Sequence, residues 1–179
     1  ALQLGHRESK DFDFFTKKEF NAKELVRQLK PQLPNFKLER VAWGTIIGYI
    51  GKISFTIFYY NYPLLFKPKS FLGINIADPR DIAAMKIAAI SDRGLKRDFI
   101  DLYFLIKNRV VTLEDCLNLY DQKFKELQQN KAHILKSLIY FEDAEKEKMP
   151  KMFQPVTWLE IKKFFEQETK NLGKKIIKQ

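Results

Sequence analysis

The sequence is poor in the residues that cross-linked and zinc-bound domains depend on. It contains one cysteine, Cys116, and two histidines, His6 and His133. A single cysteine excludes an internal disulfide framework, and these three residues are too few for a Cys/His zinc site. Any metal ion must therefore be held by carboxylates.

Long apolar runs are also missing. No stretch approaches the roughly 20 apolar residues that span a bilayer, and no basic-then-apolar signal segment opens the chain. These absences exclude a membrane-spanning protein, and we expect a cytoplasmic one. The first residue is Ala1, inside the apolar, helix-like stretch 1–4. We therefore expect the natural protein to begin before Ala1.

Acidic residues are in the minority. Lys and Arg number 32 against 22 Asp and Glu, which gives a net charge of +10. Cations outnumber acids by 12 to 6 over residues 1–70 and by 13 to 9 over 121–179, whereas 71–120 holds 7 of each. This balance favours polyanionic partners such as nucleic acid or nucleotides.

Hydrophobic periodicity predicts a small sheet followed by helices. Period-two alternation predicts a strand over 11–15, and a helix capped near Asn21 and ended by Pro31 and Pro34 follows it. Residues 36–60 predict two or three antiparallel strands. A further strand is predicted over 71–77, and helices over 79–91, 96–108, from Thr112, over 131–145 and from Thr157. The predicted fold class is α+β, with a small mixed sheet and flanking helices over 1–110 and a helical C-terminal region over 111–179.

Two carboxylates share one face of the first predicted strand. Asp11 and Asp13 are two residues apart, so their side chains project from the same face about 7 Å apart at the backbone. That spacing allows both to converge on a hard cation, and the preceding Gly, Arg, Ser and Lys of residues 5–10 suit a turn that faces phosphate. The alternative is a solvent-exposed face that the aspartates merely keep polar.

Two lone charges interrupt apolar helices. Lys86 is the one interior charge of the helix over 79–91, and Asp101 is the only charge in the apolar stretch 99–106. An unpaired buried charge is costly, so we expect the two side chains to lie close together in space. Either they form a structural ion pair, or Lys86 reaches a phosphate beside Asp101.

Three tyrosines, at positions 59, 60 and 62, lie at the end of the 36–60 segment and just beyond it. They could form a stacking platform for a nucleobase. The favoured interpretation is a strand end followed by a turn.

At two places the sequence resembles the AbiEii/AbiGii-type nucleotidyltransferase toxins of phage abortive infection and toxin–antitoxin systems. The block Gly5-His6-Arg7-x-Ser9-x-Asp11-Phe12-Asp13-Phe14-Phe15 is similar to their G-H-R-x-S-x-D-h-D-F-F block. The segment from Asp81-Ile82-x-Ala84-Met85-Lys86 through Arg93 to Lys96-x-Asp98-x-x-Asp101-Leu102 is similar to their second block. The resemblance covers most of residues 1–106.

This resemblance implies a polymerase-β-like nucleotidyltransferase core over 1–110. It implies that Asp11 and Asp13 bind the Mg²⁺ that accompanies a nucleoside triphosphate, that Lys86 contacts the triphosphate, and that Asp101 is an essential acidic partner. Arg7 and Ser9 are further candidates for phosphate or nucleotide contacts. Nucleotidyl transfer suits these residue types, because metals neutralise the phosphates while the protein positions them.

Two departures from the family pattern are visible. Its Gly-Gly-Thr/Ser phosphate-binding turn would precede Ala1, and the third carboxylate of the wider superfamily is replaced by Ser54 on the candidate strand. The expected function is transfer of nucleotides from a triphosphate to RNA, with a tRNA 3′ end preferred over a protein hydroxyl, and a cognate antitoxin as a further partner. The alternative is a non-catalytic protein that keeps the fold and binds nucleic acid or an antitoxin.

Overall fold

A computed structural model describes residues 1–127 and 130–177 of the chain. The chain forms two compact units, one made of Ala1–Glu8 with Leu64–Gln179 and the other of Ser9–Pro63. No helix in the described ranges is both long enough and apolar enough to cross a membrane. The two units are defined by contacts between residues and do not test the predicted boundary at residue 110 between a nucleotidyltransferase core and a helical C-terminal region. That boundary stays a prediction.

The Ser9–Pro63 unit, called here the sheet unit, is a four-stranded mixed sheet with one helix. The spatial order of the strands is β1-β4-β3-β2. The edge strand β1 runs parallel to β4, while β2, β3 and β4 form an antiparallel meander. The elements are β1 (Asp11–Thr16), α1 (Ala22–Gln32), β2 (Phe36–Ala42), β3 (Thr45–Ile50) and β4 (Ile53–Tyr59).

One face of this sheet is covered by α1. The helix begins where the Asn21 side chain accepts a hydrogen bond from the Glu24 N–H, as the cap at this position predicts. It ends at Gln32, one residue beyond Pro31. Val26 of the helix packs with Phe36 and Ile46 of the strands to form the core of this unit.

The second unit, called the helical unit, begins with a turn rather than the helix expected over 1–4. The Gly5 N–H donates to the Ala1 carbonyl at 2.9 Å, and the chain then leaves the helical path at Gly5, whose φ is +57°. The strand expected over 71–77 is a hairpin of β5 (Lys69–Phe71) and β6 (Ile74–Ile76). Positive φ at Leu72 and Gly73 makes the two-residue turn that reverses the chain.

Helices make up the rest of the helical unit. Asp78 caps the first of them with Pro79 at its first turn, and Thr112 with Asp115 forms the predicted capping box of the third. The helix expected over 131–145 is broken, because the chain turns at 138–141 and the Phe141 ring packs against Phe99 and Trp158. The helices are α2 (Pro79–Asp92), α3 (Lys96–Lys107), α4 (Leu113–Lys123), α5 (Lys131–Ser137), α6 (Glu142–Glu145) and α7 (Trp158–Ile177), with a 3₁₀ turn over Lys125–Leu127.

The predicted α+β class is therefore confirmed. Helix α3 is buried along most of its length, from Lys96 to Leu105. This burial explains why its apolar residues occupy nearly every side of the helix. It also makes the charges of α3 costly unless each has a partner.

Candidate functional site

Asp101 of α3 lies at the centre of a buried group of charges in the helical unit. His6 Nε2 donates to Asp101 Oδ1 at 2.9 Å, and Arg7 donates to both carboxylate oxygens, from Nε at 2.7 Å and from Nη2 at 2.9 Å. Lys86 Nζ of α2 lies 2.8 Å from Asp101 Oδ2. The predicted proximity of Lys86 and Asp101 is confirmed.

A second carboxylate, Asp98, extends this group. Lys86 Nζ donates to Asp98 Oδ1 at 2.7 Å, and Arg93 Nε donates to Asp98 Oδ2 at 3.2 Å. The Asp98 side chain is fully buried, whereas that of Arg93 is 49% exposed. We call His6, Arg7, Lys86, Arg93, Asp98 and Asp101 the charge cluster. Its three permanent cations face two carboxylates.

Sequence reasoning missed Asp98 as a partner of Lys86. The available signal was its position three residues before Asp101 on α3, which places both carboxylates on one helix face. It also missed His6 as a partner of Asp101. That contact joins residues 95 positions apart, and helix periodicity says nothing about such a pairing.

The segment that carries His6 and Arg7 is held by residues 151–154, which lie between Pro150 and Pro155. Arg7 forms an isolated antiparallel bridge with Met152, and the Glu8 N–H donates to the Lys151 carbonyl at 2.9 Å. The Phe153 N–H donates to the His6 carbonyl at 2.8 Å. These backbone bonds position both side chains toward α3.

The surroundings of the charge cluster keep Asp101 and Lys86 ionised. Burial acts to raise the pKa of Asp101, but hydrogen bonds from His6 and Arg7 and the charge of Lys86 outweigh it, so this pKa lies far below its usual range. Burial acts to lower the pKa of Lys86, but Asp101 and Asp98 outweigh it and the pKa is raised. Asp101 is thus a permanent anion and Lys86 a permanent cation near neutral pH.

The two aspartates of β1 lie in the sheet unit, on an edge strand. Asp11 is paired in register with Ser54 of β4, and Asp13 with Thr56. Both aspartates are exposed, and β4 carries no acid. The strand thus presents two carboxylates on one face, as predicted, while the neighbouring strand offers hydroxyl groups.

This donor set fits Mg²⁺ delivered with a nucleotide. The described residues contain no group of three or more His, Cys, Asp or Glu side chains placed to hold a metal ion. Mg²⁺ commonly binds through one or two carboxylates, with substrate phosphates and waters filling the remaining positions. Asp11 and Asp13 can supply those two carboxylates.

A separate buried ion pair joins α2 to α4. Lys123 Nζ donates to Asp81 Oδ1 at 2.8 Å, and both side chains are fully buried. Asp81 also accepts the backbone N–H groups of Leu65 and Phe66 at 3.1 and 3.0 Å. The Asp81 of the second sequence block therefore fixes the start of the segment that leads to β5.

A cleft of about 300 Å³ lies within the sheet unit, at the end of the sheet beside the start of α1. Its lining includes Asn21, Trp43 and Tyr59. Tyr59 alternates with Phe58 on β4 and thus lies on the α1 side of the sheet, opposite the face that carries Asp11 and Asp13. This cleft is therefore not the site of the two carboxylates.

Comparison with solved structures first supports the fold. The chain is similar to the crystal structure of JHP933 from Helicobacter pylori, with a TM-score of 0.50 and 21% sequence identity over 99% of this chain and 84% of that one. At this level of identity the likeness concerns the fold alone.

A family model then gives the class of enzyme. The model described as nucleotidyl transferase AbiEii toxin, type IV toxin–antitoxin system, matches residues 36–174. The chain therefore belongs to the AbiEii nucleotidyl transferase toxin family and is a nucleotidyltransferase. Lys86, Asp98 and Asp101 lie inside the matched range, and Asp11 and Asp13 precede it.

A curated relative extends across nearly the whole chain. An uncharacterized protein of Aquifex aeolicus (strain VF5) is 39% identical over 178 residues, which cover 94% of this chain and 82% of that protein. The similarity is therefore not confined to the range that the family model matches.

Proposed function

We propose that this toxin transfers nucleotides from a magnesium-bound nucleoside triphosphate to RNA, with a tRNA 3′ end as the favoured acceptor. The observation that carries the proposal is the pair of exposed, same-face carboxylates of Asp11 and Asp13 on β1. Two carboxylates on one strand face can converge on one hard cation. A bound Mg²⁺ would supply charge neutralisation for the phosphates.

The charge cluster supplies the second set of proposed roles. A lysine ammonium has three N–H donors. In Lys86, two of these donors are directed to Asp98 and Asp101. The remaining donor suits a phosphate oxygen, so we assign Lys86 to the triphosphate. Arg7 and Ser9 are assigned weaker phosphate or nucleotide contacts. Asp101 serves as the acidic partner that holds Lys86 and Arg7 in place.

The net charge of +10 supports RNA over a protein acceptor. A polyanion lying on a basic protein displaces counterions and gains affinity, whereas a protein hydroxyl gains nothing from that charge. The toxin–antitoxin family further implies a cognate antitoxin. Abortive infection of phage-infected cells is the setting that we propose for the pair.

Nucleotide transfer by Asp13→Asn tests the metal assignment. Full-length protein is incubated with labelled ribonucleoside triphosphates, Mg²⁺ and total RNA. We expect wild-type protein to label an RNA band, and we expect both EDTA and Asp13→Asn to abolish the label, because EDTA removes the Mg²⁺ and the variant removes one of its two proposed carboxylate ligands. Glu24→Gln is the matched control, since it removes one exposed carboxylate of the same unit without touching β1.

Three results would contradict these assignments. Unchanged transfer by Asp13→Asn would refute the metal site. Label found only on protein would refute the RNA acceptor. Label that survives EDTA would refute the magnesium requirement. Circular dichroism and melting of Asp13→Asn should match those of Glu24→Gln, because both side chains are exposed.

A further inference from the structure

An exposed aromatic side chain follows the two aspartates on the same strand face. Successive side chains of a strand alternate between faces, so Phe15 of β1 shares the face of Asp11 and Asp13. Its backbone lies about 7 Å from that of Asp13, toward the C-terminal end of the strand. Phe15 is 46% exposed. A molecule bound at the carboxylates can therefore reach its ring.

Phe15 belongs to a small aromatic group at that end of the sheet unit. It is paired in register with Phe58 of β4, and the two rings are nearly parallel, with centroids 5.5 Å apart and 20° between planes. The Tyr60 ring meets Phe15 edge-on at 5.1 Å, and Tyr62 meets Tyr60 at 5.0 Å. Of the three tyrosines at 59, 60 and 62, Tyr60 therefore packs on Phe15 at the end of β1, and Tyr62 packs on Tyr60.

The backbone fixes this group in place. The Tyr60 N–H donates to the Thr16 carbonyl at 2.8 Å, which extends the β1–β4 pairing one residue beyond the end of β4. Phe15 is thus presented from a strand and Tyr60 from a hydrogen-bonded extension of one. A rigid aromatic surface binds a flat ring without a large ordering cost.

We infer that Phe15, supported by Phe58 and Tyr60, stacks a nucleobase of the nucleotide whose phosphates lie at Asp11 and Asp13. This inference rests on the proposed function. The spacing supports this inference, since the distance between the backbones of Asp13 and Phe15 is comparable with the distance from phosphate to base in a nucleotide. Stacking on an aromatic face is available to every base, so Phe15 contributes affinity and position rather than base identity.

Phe12 offers a matched control. It lies on the same strand and is 52% exposed, similar to Phe15, but alternation places it on the opposite face, where its ring stacks near Phe14. Phe15→Leu and Phe12→Leu therefore remove the same aromatic surface from the two faces. Phe15→Tyr keeps a ring at position 15 and should behave as wild type. Tyr60→Leu is a second variant that weakens the same surface.

Calorimetry on the full-length protein with Mg²⁺ tests the inference, with each ribonucleoside triphosphate, inorganic tripolyphosphate and a short single-stranded RNA as probes. We expect Phe15→Leu to lose about ten-fold in triphosphate affinity, with tripolyphosphate affinity unchanged. Tyr60→Leu should lose less triphosphate affinity than Phe15→Leu. Phe12→Leu should match wild type. A loss confined to the RNA would overturn the inference and assign the stacked base to the acceptor.

The inference is overturned if Phe15→Leu binds all probes as Phe12→Leu does, or if it loses tripolyphosphate and triphosphate affinity equally. Melting temperatures of Phe15→Leu and Phe12→Leu identify a folding defect. If Phe15→Leu has one, the triphosphate and tripolyphosphate affinities of Tyr60→Leu decide whether the inference holds. If wild-type protein transfers nucleotide while both stacking variants bind normally, the inference fails and the proposed function stands. If wild-type protein transfers none while Phe15→Leu still loses base-dependent affinity, the proposed function fails and the stacking site stands.

Discussion

At the scale of single residues, Asp101 shows how a buried charge is retained. It accepts hydrogen bonds from His6 and Arg7 and lies against Lys86. The cost of burying the carboxylate is offset by these donors, so removing its charge leaves two cations poorly compensated. Loss of one partner from a buried pair typically costs about 3–5 kcal/mol of stability.

Asp101→Asn should therefore lower the free energy of unfolding by about 3–5 kcal/mol at pH 7. The pKa of Asp101 is depressed on folding, so its contribution is fully present above the unfolded pKa of about 3.9 and is lost as pH falls toward the folded pKa. Urea unfolding at pH 7, 5 and 3 should show the gap between wild type and variant unchanged from 7 to 5 and reduced at 3.

Asp92→Asn is the control for this experiment, because Asp92 is an exposed aspartate at the end of α2. Its unfolding free energy should stay within about 0.5 kcal/mol of wild type at each pH. A gap for Asp101→Asn that is constant from pH 7 to 3 would show that the carboxylate gains no stability from its partners.

At the scale of elements, strand β3 depends on the absence of a side chain at Gly48. Gly48 is buried, and a Cβ at this position would lie 2.5 Å from the Phe36 ring and 2.6 Å from the Lys37 carbonyl oxygen. Gly48→Ala should therefore lower the free energy of unfolding by about 1–3 kcal/mol through overpacking. Thermal or urea unfolding measures the change.

Gly173→Ala in α7 is the matched comparison. A Cβ at position 173 would meet nothing within 4 Å. Alanine is a better helix former than glycine, so this variant should gain about 0.5–1 kcal/mol. If the two substitutions have effects of the same sign, the close packing of Phe36 over β3 does not govern the stability of the sheet unit.

At the scale of the whole molecule, charge is distributed unevenly along the chain. Cations exceed acids over residues 1–70 and 121–179, while residues 71–120, which contain most of the charge cluster, are balanced. If RNA is the acceptor, as proposed, the +10 net charge makes its binding salt-dependent, because each neutralised phosphate releases counterions.

RNA affinity should accordingly fall by about 100-fold or more between 50 and 200 mM salt. Fluorescence anisotropy with a labelled RNA at several salt concentrations measures the slope. Phosphate contacts by Lys and Arg predict a straight line of log affinity against log salt. An affinity that is insensitive to salt would contradict an RNA acceptor held by this charge.

Much of the element order follows from the sequence because its signals are local. The caps at Asn21, Asp78 and Thr112 and the alternation of β1 involve residues within a few positions of one another, so these elements lie where the pattern predicts. Tertiary packing decided the exceptions. The stretch over 71–77 became a hairpin through the turn at Leu72 and Gly73, and the helix over 131–145 broke where Phe141 packs on Phe99 and Trp158.

The sequence by itself determined which residues are chemically unusual: two carboxylates on one strand face, and Lys86 and Asp101 as lone charges in apolar helices. The contact between Lys86 and Asp101 was predictable from the sequence, but only the tertiary structure decided the other partners of the buried charges. Asp98 pairs with Lys86 and Arg93, Asp101 pairs with His6 and Arg7, and Asp81 pairs with Lys123. A buried charge must find an opposite charge, but the partner is selected by which backbone segments pack together, and that selection depends on contacts far apart in the chain.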